Sequence, residues 1–257
     1  MHIYIPTMGR PRLQYTLNAL KAESQFPITL VVPCEEFAQY SQSLITHPII
    51  CPPTTVQRIA ATRQWIMEQA SDNHVVMMDD DLTFAVRRTD DPTRFRDPEP
   101  GEISRMLYKL NSLLDDYAHA GIATREGGNR NTDRLMHATR APRVIGYDRE
   151  IFFTECVDFR NSFTMDDFEA TLHLLTRGFS NAILNEYVQN QKGSGTAGGA
   201  SAYRDLAMCK ASAELLQSRY PDFVKTVEKT TKTAWGGATR TDVIVQWKKA
   251  LKWGESR

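Results

Sequence analysis

The 257 residues suffice for one large domain, and 41% hydrophobic and 24% charged residues are typical of an ordinary globular protein. Because 31 basic and 31 acidic side chains cancel, global charge does not mark the chain as a nucleic-acid binder, although it leaves room for a local basic patch. The cysteines form no CxxC pair, which argues against a zinc or disulfide framework. With neither a signal peptide nor a membrane-spanning run, the sequence predicts a soluble cytoplasmic protein without a membrane partner.

The first 80 residues alternate predicted strands with predicted helices. Strands are predicted at 2–6, 28–33, 47–53 and 74–78, and helices at 13–23, 35–44 and 54–70. The third helix has Thr54 or Thr55 as its candidate N-cap. This alternation predicts an α/β fold with a mainly parallel sheet flanked by helices, in which ligands bind beyond the carboxyl ends of the strands.

The pattern changes after residue 85. The predicted elements are a charged, proline-rich loop (87–102), an amphipathic helix (103–120), an arginine-rich loop (125–143), a strand with a turn (144–153), a carboxylate-led helix (162–178), a strand (181–190), a glycine-rich loop (191–201) and a largely helical C-terminal region broken at 233–240. Neither an internal repeat nor a linker is evident. One domain is therefore predicted over residues 1–257.

Three adjacent aspartates, Asp79, Asp80 and Asp81, follow the apolar run of the fourth strand. In an extended segment Asp79 and Asp81 project to the same side, because side chains alternate. Two carboxylates at the carboxyl edge of a sheet suit Mg²⁺ or Mn²⁺, which usually shares the oxygens of a phosphorylated substrate. The alternative is a strand-to-turn junction with solvated aspartates, and the triplet alone favours that alternative.

Several segments match a known pattern in order and spacing. They are IYIPTMGRP at the first strand, LVVP at the second, RIAATRQWI in the third helix and VVMMDDDLTF at the triplet, with MDDF opening the helix at 165–168. They resemble the glycosyltransferases of the GT-A fold, whose nucleotide-binding half ends in a DxD motif. IPTMGRP, ATRQWI, DDDL and DDFEATLHLLTRG are most similar to the phage-encoded and TET-associated glycosyltransferases, which are inferred to add sugars to hydroxymethylated pyrimidines in DNA. The similarity extends over most of residues 1–190.

This resemblance implies a nucleotide-sugar-binding half (1–85), an acceptor and catalytic half (86–190), and a glycine-rich loop with a helical tail (191–257). It also implies roles for the matching positions. The donor would be bound by Pro6, Thr7, Arg10, Arg58, Arg63, Asp79 and Asp80. The metal would be held by Asp81, with Asp79 beside it, and the catalytic base would be Asp166 or Asp167.

The implied reaction moves a sugar from a nucleotide sugar, a UDP-sugar before others, to a hydroxymethylpyrimidine in DNA. A phage-encoded enzyme would work in the host cytoplasm. Mn²⁺ or Mg²⁺ would neutralise the departing diphosphate, and a carboxylate would deprotonate the acceptor hydroxyl. Many GT-A enzymes take a third metal ligand, often a histidine, from the C-terminal region, whereas all six histidines here precede residue 174. The metal therefore has only Asp81 and substrate phosphates, or basic side chains replace it.

Other features admit two interpretations each. GSGTAGG (193–199) lacks the GK[ST] ending of a P-loop and is either a lid over the diphosphate, with Lys192 on a phosphate, or a flexible loop. Asp166 and Asp167 also suit helix capping. Basic residues are frequent in 125–143, and they occur together with tryptophans in 225–257. They suit contact with a nucleic-acid backbone and an extruded base. The alternative is that the basic residues form a solvated face and the tryptophans belong to the core. The predicted DNA contacts are Arg125, Arg130, Arg134, Arg140 and Arg143.

Three alternative functions remain open at this point. The same fold and donor would serve a polysaccharide, lipid or small-molecule acceptor, although the lack of a membrane anchor weighs against a lipid. A non-catalytic DNA- or nucleotide-binding module on the same fold is a second alternative. The presence of both acidic sites, Asp79 with Asp81 and Asp166 with Asp167, weighs against it, because such a module need not keep them. A nucleotidyltransferase commonly carries a glycine-rich basic signature after its first strand, of which TMGRPR is a weak version.

Overall fold

The computed structural model describes residues 1–43, 46–191, 199–230 and 237–257. The strands are β1 (His2–Pro6), β2 (Ile28–Val31), β3 (Ile49–Ile50), β4 (His74–Met78), β5 (Leu82–Arg87), β6 (Phe95–Arg96), β7 (His119–Thr124), β8 (Leu135–His137), β9 (Val144–Asp148), β10 (Asn181–Gln191), β11 (Val224–Thr230) and β12 (Thr239–Val245). The helices are α1 (Tyr15–Leu20), α2 (Phe37–Ser41), α3 (Arg58–Gln69), α4 (Glu102–Asp116), α5 (Arg149–Thr154), α6 (Asp166–Leu175), α7 (Leu206–Arg219) and α8 (Trp247–Glu255). Lys192 and residues 193–198 of the predicted lid lie outside the described residues.

A ten-stranded sheet runs through the described residues in the order β3-β2-β1-β4-β9-β7-β10-β5-β6, and β8 pairs with β10. The strands that lead to the aspartate triplet are parallel, since β1 pairs in parallel with β2 and β4, and β2 with β3. Antiparallel pairs then join β9 to β4 and to β7, and β5 to β10, whereas β7 and β10 are parallel. The predicted α/β fold with a sheet flanked by helices is confirmed.

Side-chain alternation along the strands gives the sheet two apolar faces. On one face Ile5 of β1 packs in the same cluster as Leu107 of α4. On the other face Tyr4 of β1 packs in a cluster with Ile66 of α3 and Phe152 of α5. Helices thus cover both faces, and the ends of the strands remain as the place where polar side chains meet. None of the helices in the described residues is long and apolar enough to cross a bilayer.

The C-terminal region contains, besides α7 and α8, a two-stranded antiparallel sheet of β11 and β12 that was not predicted. Leu175 of α6, Leu216 of α7, Val243 of β12 and Ala250 of α8 form a third apolar cluster. Leu174 of α6 instead belongs to a cluster on the central sheet. Helix α6 therefore lies between the central sheet and the C-terminal region.

Several boundaries differ from the sequence prediction. Helix α3 begins at Arg58, and neither Thr54 nor Thr55 caps it, because a turn closed by the Val56 N–H on the Pro53 carbonyl at 2.8 Å takes up those residues. Helix α4 ends at Asp116, so the expected helix to residue 120 is wrong there. The apolar run HAGIAT forms β7 instead, buried between β9 and β10. The second half of the strand expected at 144–153 is helix α5, and β5 was not predicted.

Candidate active site

The aspartate triplet forms the turn between β4 and β5. Thr16, which is fully buried in α1, fixes this turn through its hydroxyl and its backbone. The hydroxyl donates to the Asp79 carbonyl at 2.5 Å and accepts from the Leu82 N–H at 2.9 Å, while the Thr16 N–H donates to the Asp80 carbonyl at 3.1 Å. The three carboxylates therefore project from a backbone that is held in place on both sides of the turn.

Arg10 lies between the second and third carboxylates of the triplet. Its Nη1 donates to Asp80 Oδ1 at 2.6 Å and to Asp81 Oδ2 at 3.0 Å. Thr7 donates to Asp80 Oδ2 at 2.6 Å, and Gln191 donates to Asp81 Oδ2 at 2.9 Å. Burial raises the pKa of Asp80 against the lowering effect of Thr7 and Arg10. Because the chain turns here, Asp81 shares its cationic partner with Asp80 rather than with Asp79.

Asp79 is paired with a second arginine, which comes from α3. Arg63 Nη2 donates to Asp79 Oδ1 at 3.0 Å, and Nη1 of the same guanidinium donates to Asp166 Oδ2 at 2.6 Å. Burial alone would lower the pKa of Arg63, but the carboxylates of Asp166 and Asp79 raise it above its usual value. Arg63 thus connects the end of β4 with the first turn of α6.

The second acid of α6 has a cationic partner of its own. Arg140 Nε donates to Asp167 Oδ2 at 2.6 Å, and the Arg140 guanidinium carbon lies 4.0 Å from the centre of the Phe168 ring. Asp166 and Asp167 are 2% and 6% exposed, whereas the Arg140 side chain is 40% exposed. The acid pair is therefore buried, and Arg140 lies at its solvent-facing side.

The segment that follows the undescribed residues 192–198 returns to this site. The Gly199 N–H donates to the Met8 carbonyl at 3.0 Å, and the Tyr203 hydroxyl accepts the Ile59 N–H at 2.9 Å at the start of α3. Burial, together with the Asp166 charge, raises the pKa of Tyr203. Residues 199–203 therefore contact both the loop after β1 and the N-terminus of α3.

Two arginines near the site have a left-handed backbone. Arg58 has φ 69° at the start of α3, and Arg143 has φ 67°. The carbonyl of Arg143 accepts the N–H of Asp79 at 3.0 Å, which joins the loop before β9 to the triplet. Positive φ is uncommon for residues other than glycine and is held only where surrounding contacts fix the chain. Of the two, Arg143 contacts the carboxylate cluster directly.

The structure brings together most of the predicted site residues. Thr7, Arg10, Arg63, Arg140, Arg143, Asp79, Asp80, Asp81, Asp166 and Asp167 are linked by the contacts described above. Pro6 ends β1, and Arg58 is exposed at the start of α3. Arg125, Arg130 and Arg134 are exposed in the loops before β8, where Arg125 lies 6.0 Å from the centre of the Phe95 ring.

Sequence reasoning missed Thr16, Gln191 and Tyr203. Gln191 reaches Asp81 because β10 pairs with β5 in a register that puts Gln191 opposite Leu82. A prediction of β5 would have been the signal for this contact. Thr16 and Tyr203 are 63 and 144 positions from the residues they contact, and no local pattern marks such pairs.

A family model described as TET-associated glycosyltransferase matches residues 1–199. The chain belongs to the TET-associated glycosyltransferase family. It is accordingly a nucleotide-sugar-dependent glycosyltransferase, and the resemblance inferred from IPTMGRP, DDDL and DDFEATLHLLTRG is confirmed. A search of curated proteins finds no match.

Solved structures share the fold at low sequence identity. S. aureus TarS 1–349 in complex with UDP-GlcNAc is 14% identical, with a TM-score of 0.51 over 84% of this chain and 67% of that chain. Glucosyl-3-phosphoglycerate synthase from Mycobacterium tuberculosis with Mg²⁺ and UDP is 11% identical, with a TM-score of 0.51 over 95% of this chain and 86% of that chain. The same enzyme with Mn²⁺, UDP and phosphoglyceric acid gives a TM-score of 0.50 at 11% identity over the same shares of both chains. These similarities show that this TET-associated glycosyltransferase has the GT-A fold.

Proposed function

We propose that this glycosyltransferase moves a sugar from a UDP-sugar to the hydroxymethyl group of a pyrimidine in DNA, with a divalent cation on the donor side. The observation that carries the proposal is the Arg63 bridge. The Arg63 guanidinium lies 3.0 Å from Asp79 and 2.6 Å from Asp166. A carboxylate at the end of β4, where the donor would bind, therefore shares one cation with a candidate base. Sugar transfer needs both groups around one reacting carbon.

The carboxylate cluster fits a divalent cation on two observations. In the described part of the chain, the ion pairs of Asp79, Asp80, Asp81 and Asp166 involve two guanidiniums, those of Arg10 and Arg63, so the carboxylates outnumber the cations that pair with them. Asp81 Oδ1 is also buried without a hydrogen-bond partner among the described residues. An acceptor atom and surplus negative charge are what a hard cation requires.

The described residues do not form a metal cage from protein ligands alone. Within the described part of the chain, no three His, Cys, Asp or Glu side chains are grouped so that they hold a metal. Mg²⁺ and Mn²⁺ tolerate this, because they bind through one or two carboxylates together with phosphate oxygens. Asp81 would hold the cation, with Asp79 beside it, and the bound cation would stabilise negative charge on the diphosphate. The solved structures of similar fold with UDP and Mn²⁺ or Mg²⁺ support a divalent cation on the donor side.

The chain's own residues supply the remaining chemistry. We assign Asp166 as the base that accepts the proton of the acceptor hydroxyl, since Arg63 joins it to Asp79 on the proposed donor side. Thr7 and Arg10 would hold the donor side of the cluster, because both are buried against Asp80. Arg143 would face the phosphates of the acceptor strand, and Arg140 would contact the same strand beside the acid pair.

The direct test incubates the protein with Mn²⁺, a panel of nucleotide sugars, and DNA that contains hydroxymethylcytosine or hydroxymethyluracil. Digested nucleosides are then weighed by mass spectrometry. A mass gain of one hexose or pentose on the modified base supports the proposal and identifies the donor. Donor hydrolysis that depends on metal, without any labelled DNA, refutes the DNA acceptor and leaves the glycosyltransferase assignment in place.

A further inference from the structure

We propose that the exposed guanidinium of Arg140, resting on Phe168, receives the unpaired target base of the acceptor strand. The inference rests on the proposed function and adds a docking position for the base and a track for the strand. Arg140 Cζ lies 4.0 Å from the centre of the Phe168 ring, and Phe168 packs at 5.7 Å against Trp247 of α8. The base would extend this stack.

The position of the guanidinium is fixed from two sides. Its Nε donates to Asp167 at 2.6 Å, and its Cζ lies 4.0 Å from the centre of the Phe168 ring. The side chain nevertheless remains 40% exposed, so part of the planar group is open to solvent. A preorganised planar cation with an open face suits stacking against a nucleobase, and it tolerates any base because each has a π-face.

The same contact places the base beside the acids of α6. Asp166 and Asp167 are adjacent at the first turn of the helix, and Arg140 binds the second of them. A pyrimidine on Arg140 would carry its hydroxymethyl group next to this pair. The stack therefore explains how a base drawn out of a duplex is held at the general base.

Helix α8 supplies charge for the strand that carries the base. Its Trp247 contacts Phe168, and its buried face is formed by Ala250 and Gly254. Lys248 and Lys252 are exposed on the outer side. Helix α8 starts at Trp247, which contacts Phe168 next to the acid pair in sequence, and it carries basic side chains along its length. Such a track suits phosphates. This helix lies beyond residues 1–199 that the family model matches, so the track is a feature of this chain's own tail.

The test compares Arg140→Lys with Arg88→Lys. Both arginines are about equally exposed, at 40% and 41%, and each is paired with an aspartate, Asp167 or Asp90. Lysine keeps the charge in both variants and removes the planar group. With a single-stranded oligonucleotide that carries one hydroxymethylcytosine, Arg140→Lys should raise the KM for DNA about tenfold or more, with the KM for the donor unchanged. Arg88→Lys should match the wild type.

A second variant tests the track without disturbing the core. Lys248→Ser with Lys252→Ser removes two exposed charges and should reduce the slope of log K against log salt for single-stranded DNA by about 1.4. An unchanged KM in Arg140→Lys, or a loss of kcat alone, would overturn the stacking role. An unchanged salt slope would overturn the track. Wild-type protein that labels no DNA at all would overturn the proposed function itself, and that result is separate from either variant.

Discussion

Arg63 donates to Oδ2 of Asp166 at 2.6 Å, although the two residues are 103 positions apart in the chain. Arg63 is 7% exposed, and its guanidinium also donates to Asp79 at 3.0 Å. A buried guanidinium with two carboxylate partners keeps fixed geometry, because any movement leaves a buried charge unpaired. The end of β4 and the first turn of α6 are therefore coupled in position.

Arg63→Lys tests whether Arg63 holds Asp166 in position against Asp79. Lysine offers one compact charge and cannot span two carboxylates as a planar fork does. We expect kcat to fall by about 100-fold, since Asp166, the proposed base, is no longer held against Asp79. Steady-state kinetics measures this fall, and Gln69→Ala, which removes an exposed residue of the same helix, is the control. Equal kcat values in the wild type and Arg63→Lys would contradict a positioning role.

Local patterns predicted those parts of the site that lie at the ends of regular elements. The apolar run 74–78 marked the end of a strand, and the acids at 166–167 marked the start of a helix. The family resemblance then assigned these positions to donor and base. Neither the pattern nor the resemblance gave the pairing of charges, because Arg10 and Arg63 reach their carboxylates only through the folded sheet.

The rest of the fold depended on long-range pairing. HAGIAT follows an amphipathic helix and continues its apolar content, so the predicted helix was extended to residue 120, into the start of this run. In the structure it is β7, which pairs with β9 and β10. LTFAVR follows the aspartates directly and forms β5, whose antiparallel partner is β10, about 100 positions later. Such pairings are tertiary decisions that a short window does not contain.

Asp81→Asn tests the cation. Asparagine keeps the size of the side chain and its contacts while removing the charge, so the fold should persist. We expect the Mn²⁺-dependent part of UDP binding to fall at least about tenfold. Isothermal titration with and without Mn²⁺ measures it, and Asp97→Asn in an exposed loop is the control. Unchanged Mn²⁺-dependent binding would remove Asp81 from the metal site.

Asp166→Asn and Asp167→Asn, made separately, test the assignment of the base. Asp166 shares the Arg63 guanidinium with Asp79, whereas Asp167 binds Arg140 on the solvent side. We therefore expect Asp166→Asn to lower kcat by about 10²–10⁴-fold with UDP binding retained, and Asp167→Asn to lower it less. Rapid-quench measurement of product formation distinguishes the two variants. The reverse order would assign the base to Asp167.

Gly254→Ala tests the attachment of α8 to α6. A Cβ at this position would lie 2.3 Å from the Leu175 carbonyl oxygen and 2.4 Å from the Gly178 nitrogen, so one helix must move. We expect the free energy of unfolding to fall by about 1–3 kcal/mol. Urea unfolding measures it, with Glu255→Ala, the exposed neighbour, as the control. Equal stability of the two variants would show that α8 docks more loosely than the contact requires.

His119 should make the stability of the protein depend on pH. The imidazole is 1% exposed, donates through Nδ1 to the Gly146 carbonyl at 2.8 Å and stacks on Tyr147. Burial lowers its pKa to about 4. The unfolded chain, with a histidine pKa of about 6.5, therefore binds a proton that the folded chain refuses. Stability from this residue is complete above pH 6.5 and decreases as the pH falls towards 4.

The loss reaches about 3 kcal/mol once the pH is below the folded pKa. His119→Gln should remove it, so the stability difference between wild type and variant should narrow as the pH falls from 7 to 4. Urea unfolding midpoints at steps of half a pH unit measure this difference. His137→Gln, at an exposed histidine, should keep the wild-type dependence. A constant difference between the wild type and His119→Gln would mean that the imidazole takes up its proton at the same pH in the folded and the unfolded chain, so that burial does not lower its pKa.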